Sequence, residues 1–247
     1  MQYGIQTYSI RDEMQKDPEN ALRTLAGLGY QMLEFCAMNF DGWNIKKARQ
    51  LKSAMDKYGL TATGSHIGRG DLEEHFEDMI ACLDIVGANQ VILAGADHSS
   101  QAKIDEMLPV FRACGEKLEA RGRMLGFHNH ADPFYPVEGG KSFMCRWVDE
   151  TILPLEIDTY WAYAAGEDPV CWMKKLHKAG RLMSIHIKDG DIKGNGTPLL
   201  MGTAPVRDVY KAACEMGVPI IVESETQNPD GPTEAKICIE ALRSMEK

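Results

Sequence analysis

What this sequence lacks narrows its reading first. There is no CxxC pair, and the seven cysteines, Cys36, Cys82, Cys114, Cys145, Cys171, Cys214 and Cys238, are odd in number and scattered. A disulfide scaffold and a closed structural zinc site are therefore not expected; reduced, mostly buried thiols in a cytoplasmic protein are. No stretch approaches the roughly 20 apolar residues of a membrane span, so no membrane partner is expected. The opening MQYGIQTYSIRDE has no basic n-region and no long apolar run, and is not expected to be a signal peptide. No Walker sequence and no GxGxxG occurs, and the loop after the first apolar run is TYSIRDE rather than glycine-rich. Positive charge is in deficit: 27 Lys and Arg stand against 36 Asp and Glu, for a net charge of −9. That argues against a nucleic-acid partner held by bulk charge. Low-complexity segments, linkers and composition breaks are missing too, so residues 1–247 are expected to form a single domain.

What is present is a repeat. Short β-like runs begin near Gly4, Met32, Thr61, Gln90, Met124, Leu155, Ser184 and Pro219. Their spacing is roughly 30 residues, the size of one strand-plus-helix unit. Helical patterns lie between them. Asp17-Pro18 reads as an N-cap and first helical residue, followed by Ala21, Leu22, Leu25 and Leu28, with Gly29 as the stop. The second pattern (Ile45, Ala48, Leu51, Met55) stops at Gly59, and the third, from about Leu72, at Gly87. The fourth stops at Gly122, and the fifth is short, about Ser142 to Thr151. The sixth spans Asp168-Pro169 to Gly180, the seventh Pro205 to Gly217, and the last starts near Pro232. Alternating strands and helices predict an α/β fold, a (β/α)8 TIM barrel, with a doubly wound open sheet as the fallback.

In a parallel barrel, functional groups gather at the C-terminal ends of strands. This chain places Gln6 and Tyr8, Glu34, His66, Asp97 and His98, His128 and His130, Glu156 and Asp158, His186 and Lys188, and Glu223 and Glu225 at such ends. In LEIDTYWAYAA, strand alternation puts Glu156, Asp158 and Tyr160 on one face. Acids on the inward face of a core strand are costly unless paired, and a cation is the simplest partner. The mixed nitrogen and oxygen donors suit Mn²⁺, Co²⁺, Zn²⁺ or Fe²⁺. Blander roles stand beside these. Asp158 suits a helix cap, His186 a satisfied core histidine, and Glu223 a solvated carboxylate. His128 and His130 suit a ligand, a substrate contact or a residue that orients a ligand. Lys188 shares a face with His186 and is expected at the substrate; His66, Glu34 and Trp161 are further substrate candidates. Trp43 and Trp161 suit sugar stacking or core packing equally. Lys193-Gly194-Asn195-Gly196-Thr197 suits a phosphate loop or a plain turn.

Taken together, GIQTYSIRDE, GFHNH, EIDTYWAYAAGEDP, HIKD and IIVESE resemble the xylose-isomerase-like TIM-barrel superfamily of sugar phosphate isomerases and epimerases. The likeness is closest to its branch with a His-Asn-His fifth strand, and it covers essentially the whole chain. It implies one divalent metal ion (Mn, Co, Mg or Zn) held by Asp158, His186 and Glu223, with His128 where many members have a glutamate. It further implies proton abstraction beside a metal-bound carbonyl of a sugar, keto-sugar or sugar phosphate, through an enediolate. Glu223, His128, His130 and Lys188 are then the catalytic candidates, and His66, Lys188, His130, Glu34 and Trp161 the substrate contacts. In the epimerases of this superfamily two metal-bound glutamates form the acid/base pair, and this chain keeps one of them. After His-Asn-His, Ala131-Asp132-Pro133-Phe134 replaces the branch's acidic-aromatic run. A dehydratase or lyase acting on a keto-cyclitol or keto-glycoside is the alternative, ahead of a metal-free sugar-binding barrel and a metal-dependent nuclease. With little sequence beyond the barrel, a long lid is not expected, and a homo-oligomer whose neighbour covers the pocket is.

Overall fold

Runs rich in Ile, Val, Leu and Phe, each four to seven residues long save the last of three, form the inner wall. The computed structural model describes residues 2–246. Met1 and Lys247, the ends of the expected 1–247 domain, lie outside the described residues. Strand β1 (Tyr3–Gln6) leads through a 3-10 turn into α1 (Arg11–Lys16) and α2 (Pro18–Leu28). Then come β2 (Met32–Cys36) with α3 (Ile45–Tyr58), β3 (Thr61–Ile67) with α4 (Arg69–Glu73) and α5 (Phe76–Val86), and β4 (Gln90–Leu93) with α6 (Gln101–Glu119). The second half holds β5 (Met124–His128) with α7 (Phe143–Glu150), β6 (Leu155–Asp158) with α8 (Thr159–Ala164) and α9 (Pro169–Lys178), and β7 (Leu182–Ile187). A two-stranded ribbon, β8 (Asp189–Gly190) with β9 (Gly196–Thr197), precedes α10 (Val206–Met216), β10 (Ile220–Val222) and α11 (Gly231–Met245).

The barrel closes in the order β1-β10-β7-β6-β5-β4-β3-β2, every neighbour parallel. The (β/α)8 expectation holds, and closure rules out the open-sheet fallback. The helices bury one stripe each against the strands, through Leu22, Leu51, Leu83, Phe111, Trp147, Leu176 and Ile239 among others. No helix among the described residues is long and apolar enough to cross a membrane.

Helix signals read correctly where they were local. Asp17 accepts from the Asn20 amide at 3.1 Å, Pro18 follows, and Gly29 ends α2 at φ +103°. That left-handed turn suits glycine. Two expectations fail. The third helix, expected unbroken from about Leu72, is split into α4 and α5, with His75 in the break. The strand at Leu155 ends at Asp158, so Tyr160 does not share its face; Tyr160 is buried in α8 and donates to the Asp191 carbonyl at 3.1 Å. Of the two readings open for Lys193-Gly194-Asn195-Gly196-Thr197 the turn holds: the stretch closes the β8–β9 ribbon and supplies β9, and the Asp191 carboxylate accepts from the Lys193 and Asn195 amides.

Candidate metal centre

Strand register brings the candidates together. Asp158 on β6 is the register partner of His186 on β7, and His128 on β5 that of Glu156. Glu223 follows β10 directly. Facing atoms of His128, Asp158, His186 and Glu223 all lie within 4.8 Å of one another, and all four residues are buried. His128 Nε2 is 3.7 Å from Asp158 Oδ2 and 3.9 Å from Glu223 Oε2; His186 Nδ1 is 3.3 Å from Glu223 Oε2.

The facing atoms His128 Nε2, Asp158 Oδ2, His186 Nδ1 and Glu223 Oε2 all lack a hydrogen-bond partner, and His128 Nδ1 lacks one too. Buried polar atoms are normally satisfied, because an unpaired one costs about 1–3 kcal/mol. Here the unpaired atoms point at each other in a mixed N/O set, the donor chemistry of a divalent cation. The backs of the same side chains are well held. Asp158 Oδ1 accepts from the Trp161 amide at 2.8 Å and so caps α8. The Asn129 side chain accepts from the Asp158 amide and donates to its carbonyl, both at 3.1 Å. Asp158 therefore does both things its sequence position allowed: one oxygen caps a helix, the other faces the cluster.

Behind His186 lies a second buried layer. His186 Nε2 meets Glu34 Oε1 at 2.7 Å and Glu156 Oε1 at 3.1 Å. His66 Nε2 meets the same two oxygens at 3.1 and 2.9 Å. Gln6 Nε2 donates to Glu34 at 2.8 Å, and Ser184 Oγ to Glu156 at 2.5 Å. Carboxylates on one imidazole nitrogen fix the tautomer and aim the other nitrogen at an ion.

The electrostatics follow. Burial disfavours the cation at His186, but Glu156, Glu223 and Glu34 outweigh it and lift its pKa well above the usual range. His66 is opposed by burial in the same way and is raised by Glu34 and Glu156 to about 10. His128 has no such partners; burial, then the charges of His186 and His66, push it well below 6.5 and keep it neutral. Burial and the charge of Glu223 push Asp158 up to about 6 against the pull of Lys188 and His186. Glu223 and Glu156 resist burial and stay well below the usual carboxylate range, Glu223 through His186 and Lys188, Glu156 through His186 and His66. A cation at the cluster would compete with the proton on His186 Nδ1.

A cavity of about 680 Å³ opens at this end, lined by Gln6, Tyr8, His66, His128, His130, Glu223 and Glu225, and by Cys36, Met38, Ile67 and Ala94 on its other side. A larger hollow of about 740 Å³ sits beside Arg123, Met124, Ile152 and Leu182, at the opposite end of the strands. It contains none of the converging donors, so chemistry rather than size picks the site.

Placement of the remaining candidates is uneven. His66 lines the cavity, and His130 stands half-exposed at its mouth, 3.9 Å from Glu225. Lys188 is buried, 2.8 Å from Glu225 Oε1 and 3.7 Å from Glu223 Oε2, with its ammonium 4.8 Å from the centre of the Trp161 ring. Trp161 is partly buried and meets His130 edge-on. Glu34, expected at the substrate, is fully buried beneath His66 and His186 and does not line the cavity. Trp43 stacks on Phe40 and donates to Asp71, so it packs rather than binds. Asp97 and His98 lie apart from the cluster; His98 pairs with Asp132 at 2.9 Å. Sequence reasoning passed over Asn129, whose clamp on Asp158 is visible only in three dimensions. Glu225 it had only among the strand-end groups that could share a cation; the structure instead pairs it with Lys188.

Comparison with known proteins agrees with this architecture. The sequence family described as a xylose isomerase-like TIM barrel matches residues 22–247. None of the curated proteins matches the chain. Among solved structures, a sugar phosphate isomerase/epimerase from Parabacteroides distasonis superimposes with a TM-score of 0.78 at 22% identity, covering 100% of this chain and 95% of that one. A D-psicose 3-epimerase from Clostridium cellulolyticum gives 0.75 at 15%, covering 99% of each chain. A probable 3-DHS dehydratase from Bacillus anthracis gives 0.75 at 14%, covering 100% and 99%. At these identities the likeness establishes the fold.

Proposed function

The chain belongs to the xylose isomerase-like TIM barrel family, and from that membership we propose that it is a divalent-metal-dependent isomerase or epimerase of a small keto-sugar. The observation that carries this reading is the set of buried, unpartnered donor atoms facing one another at the mouth. His128, Asp158, His186 and Glu223 would hold one Mn, Co, Mg or Zn ion. Bound there, the ion would supply Lewis-acid stabilisation of the negative charge that develops on a substrate carbonyl oxygen.

The chain's own residues do the rest. Glu223 lines the cavity and stays ionised beside Lys188 and His186. It takes the proton from the carbon beside the carbonyl. Lys188, fixed by Glu225 and Glu223, places a positive charge where the enediolate oxygen becomes negative. His66 and the Trp161 ring border the substrate, and His130, partly in water, returns a proton. Return to the opposite face gives epimerisation, and return to the neighbouring carbon gives isomerisation. Glu34 and Glu156 steady His186 rather than touch substrate.

A dehydratase acting on a keto-cyclitol or keto-glycoside is the second reading. It is favoured by the position of His130 outside the donor cluster, where it could protonate a departing β-hydroxyl. Incubation with keto-sugars and inososes in D₂O with Mn²⁺ separates the two, since deuterium marks the enolised carbon and the product names the reaction. Glu223→Gln is expected to slow exchange by about 10²–10⁴-fold with the fold intact. Exchange at the unmodified rate would overturn the assignment.

A further inference from the structure

Barrels of this kind commonly hold phosphate on backbone N–H groups of the loops after the seventh and eighth strands. In this chain those donors are occupied from within. Asp189 Oδ1 accepts from the Gly190 and Ala204 amides at 2.8 and 3.1 Å, and its Oδ2 from the Gly202 amide at 3.0 Å. Asp191 Oδ1 accepts from the Lys193 and Asn195 amides at 2.9 and 3.0 Å. After β10, Glu234 accepts from the Asn228 amide at 3.2 Å and the Thr226 hydroxyl at 2.6 Å. On the other side of the mouth, Asp71 takes the Gly68 amide at 2.7 Å. Each of these turns is filled by the chain's own carboxylate.

The nearby cations are already engaged by the chain. Among the described residues, no lysine or arginine lines the 680 Å³ cavity. Lys188 is paired with Glu225 and Glu223. Arg69 is paired with Glu73 at 2.7 Å and Glu106 at 3.5 Å. Arg11 donates to the Tyr8 and Glu225 carbonyls at 3.2 and 3.1 Å. With the ion and Lys188 committed to the reacting oxygens, a phosphate entering here would lose its water and meet the Glu223 and Glu225 carboxylates with no further lysine or arginine on the cavity lining, which is unfavourable. The opposite wall, formed by Cys36, Ala37, Met38, Ile67 and Ala94, offers side chains with little capacity to replace water around hydroxyls.

Resting on the sugar-enzyme reading above, we infer that the substrate is an uncharged keto-sugar or keto-cyclitol rather than a phosphate ester, and that it carries an apolar substituent seated on the wall of Cys36, Met38, Ile67 and Ala94. The ring's oxygens face the His128–Glu223 side, and the substituent faces β2, β3 and β4. The full chain with Mn²⁺ tests this by calorimetric titration with three compounds on one core: a methyl 3-keto-hexoside, the phenyl 3-keto-hexoside, and the 6-phosphate of the methyl compound. The phenyl compound is expected to bind about tenfold tighter than the methyl one, and the phosphate about tenfold or more weaker. Met38→Ser, at the exposed rim, is expected to weaken phenyl binding several-fold more than methyl binding and so remove most of the phenyl advantage; a general structural defect would weaken both alike. Phosphate binding as tight as the methyl compound overturns the uncharged-substrate claim. Equal binding of phenyl and methyl compounds, or a phenyl advantage that survives Met38→Ser, overturns the apolar wall. The expected binding order without deuterium exchange defeats only the reaction and leaves this inference standing, whereas binding of none of the three defeats both.

Discussion

A buried imidazole with neither nitrogen bonded is an expensive residue to keep. His128 is in that state, held neutral by burial and by the neighbouring cations His186 and His66. An unmet buried polar group costs about 1–3 kcal/mol, and an apolar side chain of similar shape avoids that cost. His128→Leu is therefore expected to raise the melting temperature of the chelator-treated protein and to abolish its response to added Mn²⁺. A drop in stability without metal would mean that His128 is a packing residue, and its place in the ligand set would go. The pairing of His128 with His130, and of His186 with Lys188, was legible from spacing at strand ends. Which member of each pair turns inward to the cluster was not. His130 lies beyond the end of β5 and is half-exposed, a consequence of where the strand stops. Glu34 was misjudged for the same reason: its layer is set by register with Gln6 and by the length of β2, neither of which periodicity fixes.

Elements carry the next constraint, because β6 ends and α8 begins on one residue. Asp158 Oδ1 caps α8 through the Trp161 amide, while Oδ2 remains unpartnered in the cluster. Asp158→Asn keeps an oxygen acceptor for the cap but loses the charge; Asp158→Ala loses both. A cap is worth roughly 0.5–2 kcal/mol. With chelator present, Asp158→Ala is thus expected to melt below Asp158→Asn, while both lose the metal response. Equal melting of the two would show that the cap contributes nothing, and a normal metal response in Asp158→Asn would remove Asp158 as a ligand. Longer helices were legible from apolar spacing with Asp-Pro starts and glycine stops, as in α2 and α9. Helices α1 and α8, of 6 residues each, were not, since so short a run shows too little period to separate from a strand end or loop. The ribbon β8–β9 escaped for a different reason: its two-residue strands carry no alternation, and Asp191 binds the turn from inside.

At the scale of the whole barrel, the donors come from four consecutive neighbours in the closed sheet, β5, β6, β7 and β10. That order was recoverable from the roughly 30-residue repeat of strand and helix, but the closure that makes β10 a neighbour of β7 is a property of the assembled sheet. An ion held by all four would bind the folded chain and not the unfolded one, so its binding energy adds directly to stability. At a free concentration 100 times the dissociation constant, the gain is about 2.7 kcal/mol. For a chain of this length each kcal/mol moves the melting temperature by about 2–4 °C. Added Mn²⁺, Co²⁺, Mg²⁺ or Zn²⁺ at that excess is then expected to raise the midpoint by about 5–10 °C over the chelated protein. The shift should be absent in Asp158→Asn and His128→Leu, which separates the site from ions loosely gathered by a chain of net charge −9. Loosely gathered ions would also be released by 0.5 M NaCl, because surface charge is screened within a few ångström at such ionic strength while a buried ligand set is not. A midpoint indifferent to all four metals, or a shift that salt erases, would take the ion out of the mechanism and leave Glu223 and Lys188 to act without it.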